Sequence, residues 1–544
     1  MDIFDVLTLL GGIALFLFGM TYMGDSLKKL AGNQMKVVLT KVTSNPLTGF
    51  LLGMGVTMII QSSTATNVMV LSFVNAGMLS LTSAIPLVIG ANLGTTITAW
   101  IISLSSIDGV SLVFQLLKPS SFTPIVIFIG VILYRFTHKA KKQDVGAILI
   151  GFALLMYGMT TMSGSMTGLS EVPQFTSIIK AMSNPFLGII TGIILAAVMQ
   201  SSSASVGILQ ALALAGDINF EAVIPLILGI NIGQVVPVLL ASSGTSRDAK
   251  RVANVNLMLN ALGAAVVLPV YIILRSTGAL PFLSDLAAPV TIAITHSGYK
   301  LISTIWQLPA RRLFEKMSAS LVREKKDVKP SLLDSRLLAT PSLALAQCRQ
   351  KLGELIKAAN DSFDAAISLL DGWDDDKASG VHDTESMADL YQDEIDSYLA
   401  KLSARSLTEK ESSELSHLMH VASDSENITD HIYHITVSLG RMTENGKEFP
   451  QEALADIKSL SARVAELLAL SEECFYTDDK TTALNIVKKE KNLVFECERF
   501  RDAQIDKVAA ANSSAPFGSY YTDIILDFER IADHLSKGAR TIVI

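Results

Sequence analysis

Charged side chains are distributed so unevenly that the chain reads as two different polymers joined near position 310. Residues 1–310 hold 15 Lys and Arg and 10 Asp and Glu among long apolar runs, whereas residues 311–544 hold 29 and 41. The first stretch suits a bilayer and the second suits water. The expected organisation is a membrane domain over 1–310, a linker over 311–334 and a soluble helical domain over 335–544. Cys348, Cys474 and Cys497 all lie in the soluble part without C-x-x-C spacing, as expected of reduced cytosolic thiols. The opening MDIFDVLTLLGGIALFLFGM has acidic residues ahead of its apolar run and no A-x-A, so it is expected to be a retained first membrane helix.

The membrane half is written twice. At an offset of 139 residues, without a gap, 12–94 match 151–233 at 27 of 83 positions. The matches cluster: FGMTYM faces YGMTTM, SNP at Ser44 faces SNP at Ser183, QSSTAT at Gln61 faces QSSSAS at Gln200, and IPLVIGANLG faces IPLILGINIG. An internal repeat in a membrane protein is the signature of a transporter, with the substrate near the midplane where the repeats meet.

Basic residues gather at Lys28–Lys41, Arg135–Lys142, Arg247–Arg251 and Arg311–Lys326. All four clusters can be cytoplasmic if helices near 5–24, 83–104, 112–135, 143–163, 221–242, 252–274 and 287–309 span, while 45–80 and 184–219 enter and leave by the same face. This topology places the first residues outside and the soluble domain in the cytosol. Three crossings then separate the repeats, which makes them inverted. Two full spans in each hairpin would give the same parity, but each arm is short for a spanning helix of about 20 residues.

Non-helical backbone survives at membrane depth only where protein or a polar cavity covers it. The hairpin tips carry Gln61, Ser62, Ser63 and Thr64, mirrored by Gln200, Ser201, Ser202 and Ser203. The helix restarting after each tip presents N–H donors and a partial positive charge, which suits an oxyanion. Hydroxyl oxygens and exposed carbonyls are also hard ligands for a small cation such as sodium. GANLGTT at Gly90 and GINIGQ at Gly229 place two glycines around Asn92 and Asn231, as expected of helix breaks whose carbonyls can hold a cation. Lys118 and Lys300 are the main positive charges within the spans, and a membrane-surface position suits both. Co-transported cations would neutralise a multiply charged anion without an arginine clamp. His296 is read as structural, and Asp217 and Glu221 as surface-loop residues.

These paired strings resemble the type II sodium/phosphate cotransporter family over residues 1 to about 310. The resemblance implies that Gln61, Ser62, Ser63, Thr64, Gln200, Ser201, Ser202 and Ser203 form the phosphate and sodium region. It further implies sodium support from Asn92, Thr95, Thr96 and Asn231; Gln234 and Val235 stand where the first repeat has Thr95 and Thr96.

Six amphipathic helices are expected in the soluble half, in two sets of three. DSENITDH at Asp424 and DFERIADH at Asp527 share D-x-E-x-x-x-D-H, so Glu426 and Asp430, like Glu529 and Asp533, lie on one helix face. This half resembles the PhoU-like domain, a pair of three-helix bundles, which implies a link to phosphate regulation and a divalent metal on those four carboxylates.

The expectation is therefore an all-α chain: a polytopic domain of two inverted repeats with re-entrant hairpins, then PhoU-like bundles. Its expected function is sodium-coupled phosphate symport by alternating access in the cytoplasmic (inner) membrane, with export compatible as net direction. Expected partners are inorganic phosphate, sodium, membrane lipid and, compatibly, further copies of the chain; no nucleic acid is expected. A sensor without transport and a symporter of another oxyanion or a phosphate ester are the alternatives. A hydrolase using Ser62 or Ser63 lacks a base, since the repeated unit has no histidine.

Overall fold

The two SNP strings act as helix starters. Asn45 and Asn184 accept the backbone N–H of Leu47 at 2.9 Å and of Phe186 at 3.0 Å, and the proline that follows each sits at the first helical position, where no N–H is required. In this computed structural model, residues 3–40, 45–106, 119–166, 173–216, 218–322, 332–405, 407–511 and 517–543 are described. They contain 21 α-helices and no β-strand. Lys118, Asp217, the expected helix start at 112–118 and linker residues 323–331 lie outside the described residues. The chain separates into two units, Met1–Pro330 and Ser331–Ile544.

In the first unit, α1 (Ile3–Thr40) precedes a hairpin of α2 (Pro46–Ile60) and α3 (Ser63–Asn75). An interrupted span follows, α4 (Leu81–Gly94) and α5 (Thr96–Ser103), then α6 (Pro119–Phe136). The second copy runs α7 (Ala140–Met166), α8 (Pro173–Met182), the hairpin α9 (Pro185–Met199) and α10 (Ser202–Leu214), and the interrupted α11 (Phe220–Gly233) and α12 (Val236–Ala241). It is followed by α13 (Arg247–Ser276), α14 (Pro289–Gln307) and α15 (Arg311–Leu321). Among the described residues five segments are long and apolar enough to cross a membrane: Phe4–Leu30, Leu81–Ser106, Ala140–Met166, Phe220–Ala241 and Arg247–Ser276. α14 falls short because one face carries His296, Lys300, Ser303, Thr304 and Gln307, all buried.

Both hairpins have arms of 15 and 13 residues. At ~1.5 Å per residue these arms are roughly 20 Å long, short of a hydrocarbon core of about 30 Å. Each first arm lies against the interrupted span of its own repeat at backbone contact. A Cβ on Gly90 would fall 1.9 Å from the Phe50 carbonyl oxygen, and one on Gly229 would fall 2.1 Å from that of Ile189. Both contacts stand 139 residues apart at both ends, so the duplication extends to the packing.

The first helices of the two copies cross at another glycine contact. A Cβ on Gly19 would lie 2.7 Å from the Gly151 oxygen, and one on Gly158 would lie 2.8 Å from the Gly12 oxygen. Contact order runs backwards along the partner, so α1 and α7 are antiparallel. Because Gly12 is equivalent to Gly151 and Gly19 to Gly158, the two contacts are one contact seen from each side, as across a two-fold axis. α13 packs Val252, Val255 and Leu259 into the core of the first copy, beside Phe314 of α15. Residues 311–321, in the stretch expected as a linker, are therefore helical and anchored here, with Thr82 Oγ1 donating to Glu315 at 2.6 Å.

The second unit has the six expected helices: α16 (Pro341–Ser368), α17 (Asp375–Ser403), α18 (Glu409–Glu444), α19 (Gln451–Thr477), α20 (Lys480–Ala511) and α21 (Gly518–Val543). They form two three-helix sets that meet through their third helices, α18 and α21, and share one core containing Phe363, Ile432, Leu460 and Phe528. Burial pushes the thiols of Cys348, Cys474 and Cys497 above their ordinary range, which leaves them unreactive.

Replacing Gly90 or Gly229 by Val should lower the melting temperature in detergent, since overfilling a packed contact costs about 1–3 kcal/mol. Gly55→Ala, which meets nothing within 4 Å, should leave it unchanged or raised.

Candidate functional site

Gln61 and Gln200 both adopt left-handed backbone, with φ of 59° and 51°, and Asp478 is the one other non-glycine with positive φ among the described residues. Backbone of this kind in a residue with a Cβ persists where its surroundings enforce it. Ser62 and Ser201 then turn the chain into the next helix as N-caps, their Oγ atoms accepting from Ala65 N and Ala204 N at 3.2 Å each. Those hydroxyls are engaged in capping. The first-turn N–H groups of Ser63, Thr64, Ser202 and Ser203 have no intrahelical acceptor and open toward the tips.

Each tip meets the interruption of the other copy. Ser63 Oγ donates to Gln234 Oε1 at 3.3 Å, and the Thr95 and Ser203 hydroxyls are 3.4 Å apart. The helices are interrupted at both expected places, and the interruptions are short: one residue, Thr95, separates α4 from α5, and Gln234 and Val235 separate α11 from α12. Thr96 Oγ1 bonds back to Leu93 O at 2.9 Å.

The two tips differ in one respect that repetition conceals. Gln61 is buried, its Oε1 accepting from Thr98 Oγ1 at 2.9 Å and its amide donating to Met58 O. Gln200 is exposed. Pro237 occupies the position equivalent to Thr98 and has no hydroxyl to offer.

A polar network missed by sequence reasoning runs from the first tip into α13 and α14. Gln234 Nε2 donates to Asn260 Oδ1 at 3.2 Å and to Asn231 Oδ1 at 3.3 Å. Asn260 and Asn92 donate to Asn256 Oδ1 at 3.1 and 3.2 Å, and Lys300 Nζ donates to Asn260 Oδ1 at 2.9 Å. Asn92 Oδ1 is buried without a hydrogen-bond partner. The available signal was N-x-x-x-N at 256 and 260, two amides on one face of an apolar helix. Lys300 is 3 % exposed and His296 1 %, which places the lysine inside the protein rather than at a membrane surface. Glu221 pairs with Arg275.

In the second unit the duplicated motifs pair crosswise: His534 Nδ1 lies 2.9 Å from Asp424 Oδ1 and His431 Nδ1 lies 2.8 Å from Asp527 Oδ1. The expected metal carboxylates divide. Glu529 is held by Arg501 at 2.9 Å and Asp533 by Lys537 at 2.8 Å, so the second pair already has cations. Burial, then the charges of Asp389, Asp430 and Glu385, push the Glu426 carboxyl above its ordinary range, with His534 opposing. That crowding of hard oxygen donors fits a divalent cation on the first pair. His431, His434 and Asp527 also converge within 4.8 Å.

Paired hairpins closing on interrupted spans define a repeat-built membrane transporter with an appended helical module. Residues 15–164 and 154–280 match the Na+/Pi-cotransporter family and 352–437 and 457–542 match the PhoU domain, one match for each internal copy. The chain belongs to the Na+/Pi-cotransporter family and carries two PhoU domains. It is 24% identical to the "Putative inorganic phosphate export protein YjbB" of Salmonella typhimurium, covering 97% of this chain and 95% of that protein. It is 27% identical to the "Uncharacterized protein YqeW" of Bacillus subtilis over 58% of this chain and 97% of the relative. A segment of 99 residues, 18% of this chain, is 33% identical to 15% of "Sodium-dependent phosphate transport protein 2A" of Rattus norvegicus. No solved structure matches the chain.

A glutamate with a raised folded-state pKa binds its proton more tightly folded than unfolded, so stability falls as pH rises from the ordinary value near 4.5 through the raised one. Glu426→Gln should remove that fall and raise the melting temperature at neutral pH, measured by calorimetry across a pH series in chelator.

Proposed function

We propose that this protein carries inorganic phosphate across the cytoplasmic membrane with sodium, the two copies exposing one central site alternately to each side. The reciprocal contact of each tip with the other copy's interruption, Ser63 to Gln234 and Thr95 to Ser203, carries this reading. A site completed only by both copies opens when one moves against the other, and the antiparallel crossing of α1 with α7 suits inverted repeats. Phosphate oxygens would meet the free N–H groups and hydroxyls of Ser63, Thr64, Ser202 and Ser203, with Gln61 and Gln200 at the rim. Sodium would take oxygens of Thr95, Thr96, Asn92 and Asn231. The unpaired Asn92 Oδ1 favours a cation there.

The soluble unit lies in the cytosol in this reading and adjusts flux, with a divalent cation on Glu426 and Asp430. The export named for the YjbB relative is the net direction we assign, since a phosphate-linked cytosolic regulator suits relief of overload. A carrier of this kind runs either way as its gradients dictate.

Purified protein in liposomes, given labelled phosphate and an imposed sodium gradient, tests the whole reading; absence of flux would favour a sensor. Gln61→Ala and Gln200→Ala should each cut flux about tenfold or more with the melting temperature retained, consistent with losing roughly 1–3 kcal/mol of polar interaction. Either variant transporting like wild type would remove the two-fold site. Thr98→Val, which frees Gln61, should cut flux by about fivefold, the loss of one hydrogen bond of ~1 kcal/mol.

A further inference from the structure

Lys300 is the buried charge that the site as described leaves unexplained. The residue is 3 % exposed, and its ammonium donates to one side-chain oxygen, Asn260 Oδ1, and otherwise lies 5.8 Å from the Tyr299 ring centroid. No carboxylate forms an ion pair with it among the described residues. His296, one turn earlier on the same face, is buried with neither ring nitrogen hydrogen-bonded, and it brings no negative charge. An isolated ammonium at this depth is costly unless an anion arrives to neutralise it.

The position of Lys300 says what that anion would replace. Where the first copy offers Thr95 and Thr96 hydroxyls, the second has Gln234 and Val235: Val235 offers no side-chain oxygen, and the one oxygen of Gln234 is taken up by the Ser63 hydroxyl. The Gln234 amide turns instead to Asn260, which holds the Lys300 ammonium, and the other end of the same side chain accepts from Ser63 at the first tip. α14 lies outside the internal repeat, so the lysine has no counterpart in the first copy.

We propose that the Lys300 ammonium is a resident cation standing in for one coupling sodium ion at the second copy's half of the site. This rests on the sodium-coupled phosphate reading above. The lysine positions charge through Asn260 and Gln234 rather than by touching phosphate, and it stays with the protein while sodium crosses. Phosphate is then neutralised by one fixed and fewer mobile cations than two intact copies would demand.

The test compares wild type, Lys300→Met and Lys300→Arg in liposomes with the membrane potential clamped at zero. Met is apolar and of similar length, and exchanging an unpaired buried charge for such a side chain is compatible with folding. For Lys300→Met the phosphate KM should rise about tenfold or more at low sodium and recover at high sodium, while the Hill slope for sodium gains about one. Accumulation scales as the sodium ratio raised to the number of ions carried, so under a gradient of about tenfold the variant should reach about tenfold higher phosphate ratios. Lys300→Arg should keep the wild-type slope, and should this variant alone fold, a changed slope in it overturns the proposal. A loss in Lys300→Met that sodium does not restore, with unchanged slope, also overturns it and leaves coupling intact. Wild-type flux indifferent to sodium overturns the coupling reading and this inference with it.

Discussion

Carbonyl oxygens of Phe50 and Ile189 sit where any side chain on Gly90 or Gly229 would begin, and the membrane unit is organised around those two contacts. In lipid, helices gain little from hiding apolar surface, so close backbone approach at small residues supplies the attraction. Here it fastens a hairpin too short to span against a helix long enough to do so. The depth of each tip follows, and so does the pairing of left-handed Gln61 and Gln200 with capped restarts at Ser62 and Ser201. A polar turn at that depth is tolerable because the opposite copy covers it with Gln234 or Thr95.

Once the scaffold is duplicated, the two copies are told apart by the positions where their side chains differ. Thr98 latches Gln61, while Pro237 leaves Gln200 without a latch. Thr95 and Thr96 give way to Gln234 and Val235, and the freed amide joins a chain of side chains ending at Lys300. A strictly symmetric pair would bind its cargo equally from either side. These substitutions give the two tips different partners on one backbone plan, the kind of inequality that biases a two-state carrier.

The second unit uses duplication differently. Its third helices meet so that the aspartate of each D-x-E-x-x-x-D-H string receives the histidine of the other, which ties the two bundles at their centre. Glu529 and Asp533 are drawn to Arg501 and Lys537, and Glu426 remains among carboxylates. Equal strings in sequence thus become one neutralised and one crowded acidic face.

Charge distribution, the 139-residue register and the strings SNP, QSS and G-x-N-x-G were enough to read two units, all-α architecture and paired tips. These are local properties: caps, turns and apolar runs act within a few residues of themselves, so they are visible without knowing the fold. The burial of Lys300, the Asn256–Asn260 link, the latch on Gln61 and the anchoring of 311–321 were not legible. Each depends on residues far apart in the chain, as with Ser63 and Gln234, which are 171 positions apart. The sequence by itself determined which half of the chain is apolar and that the chain is built of copies, because hydropathy and periodicity are additive along a chain. Only the tertiary structure decided which hydroxyls cap and which stay free, which carboxylates meet a lysine or arginine, and where the buried Lys300 ammonium points, because those outcomes turn on distances of about 3 Å between elements the sequence holds apart.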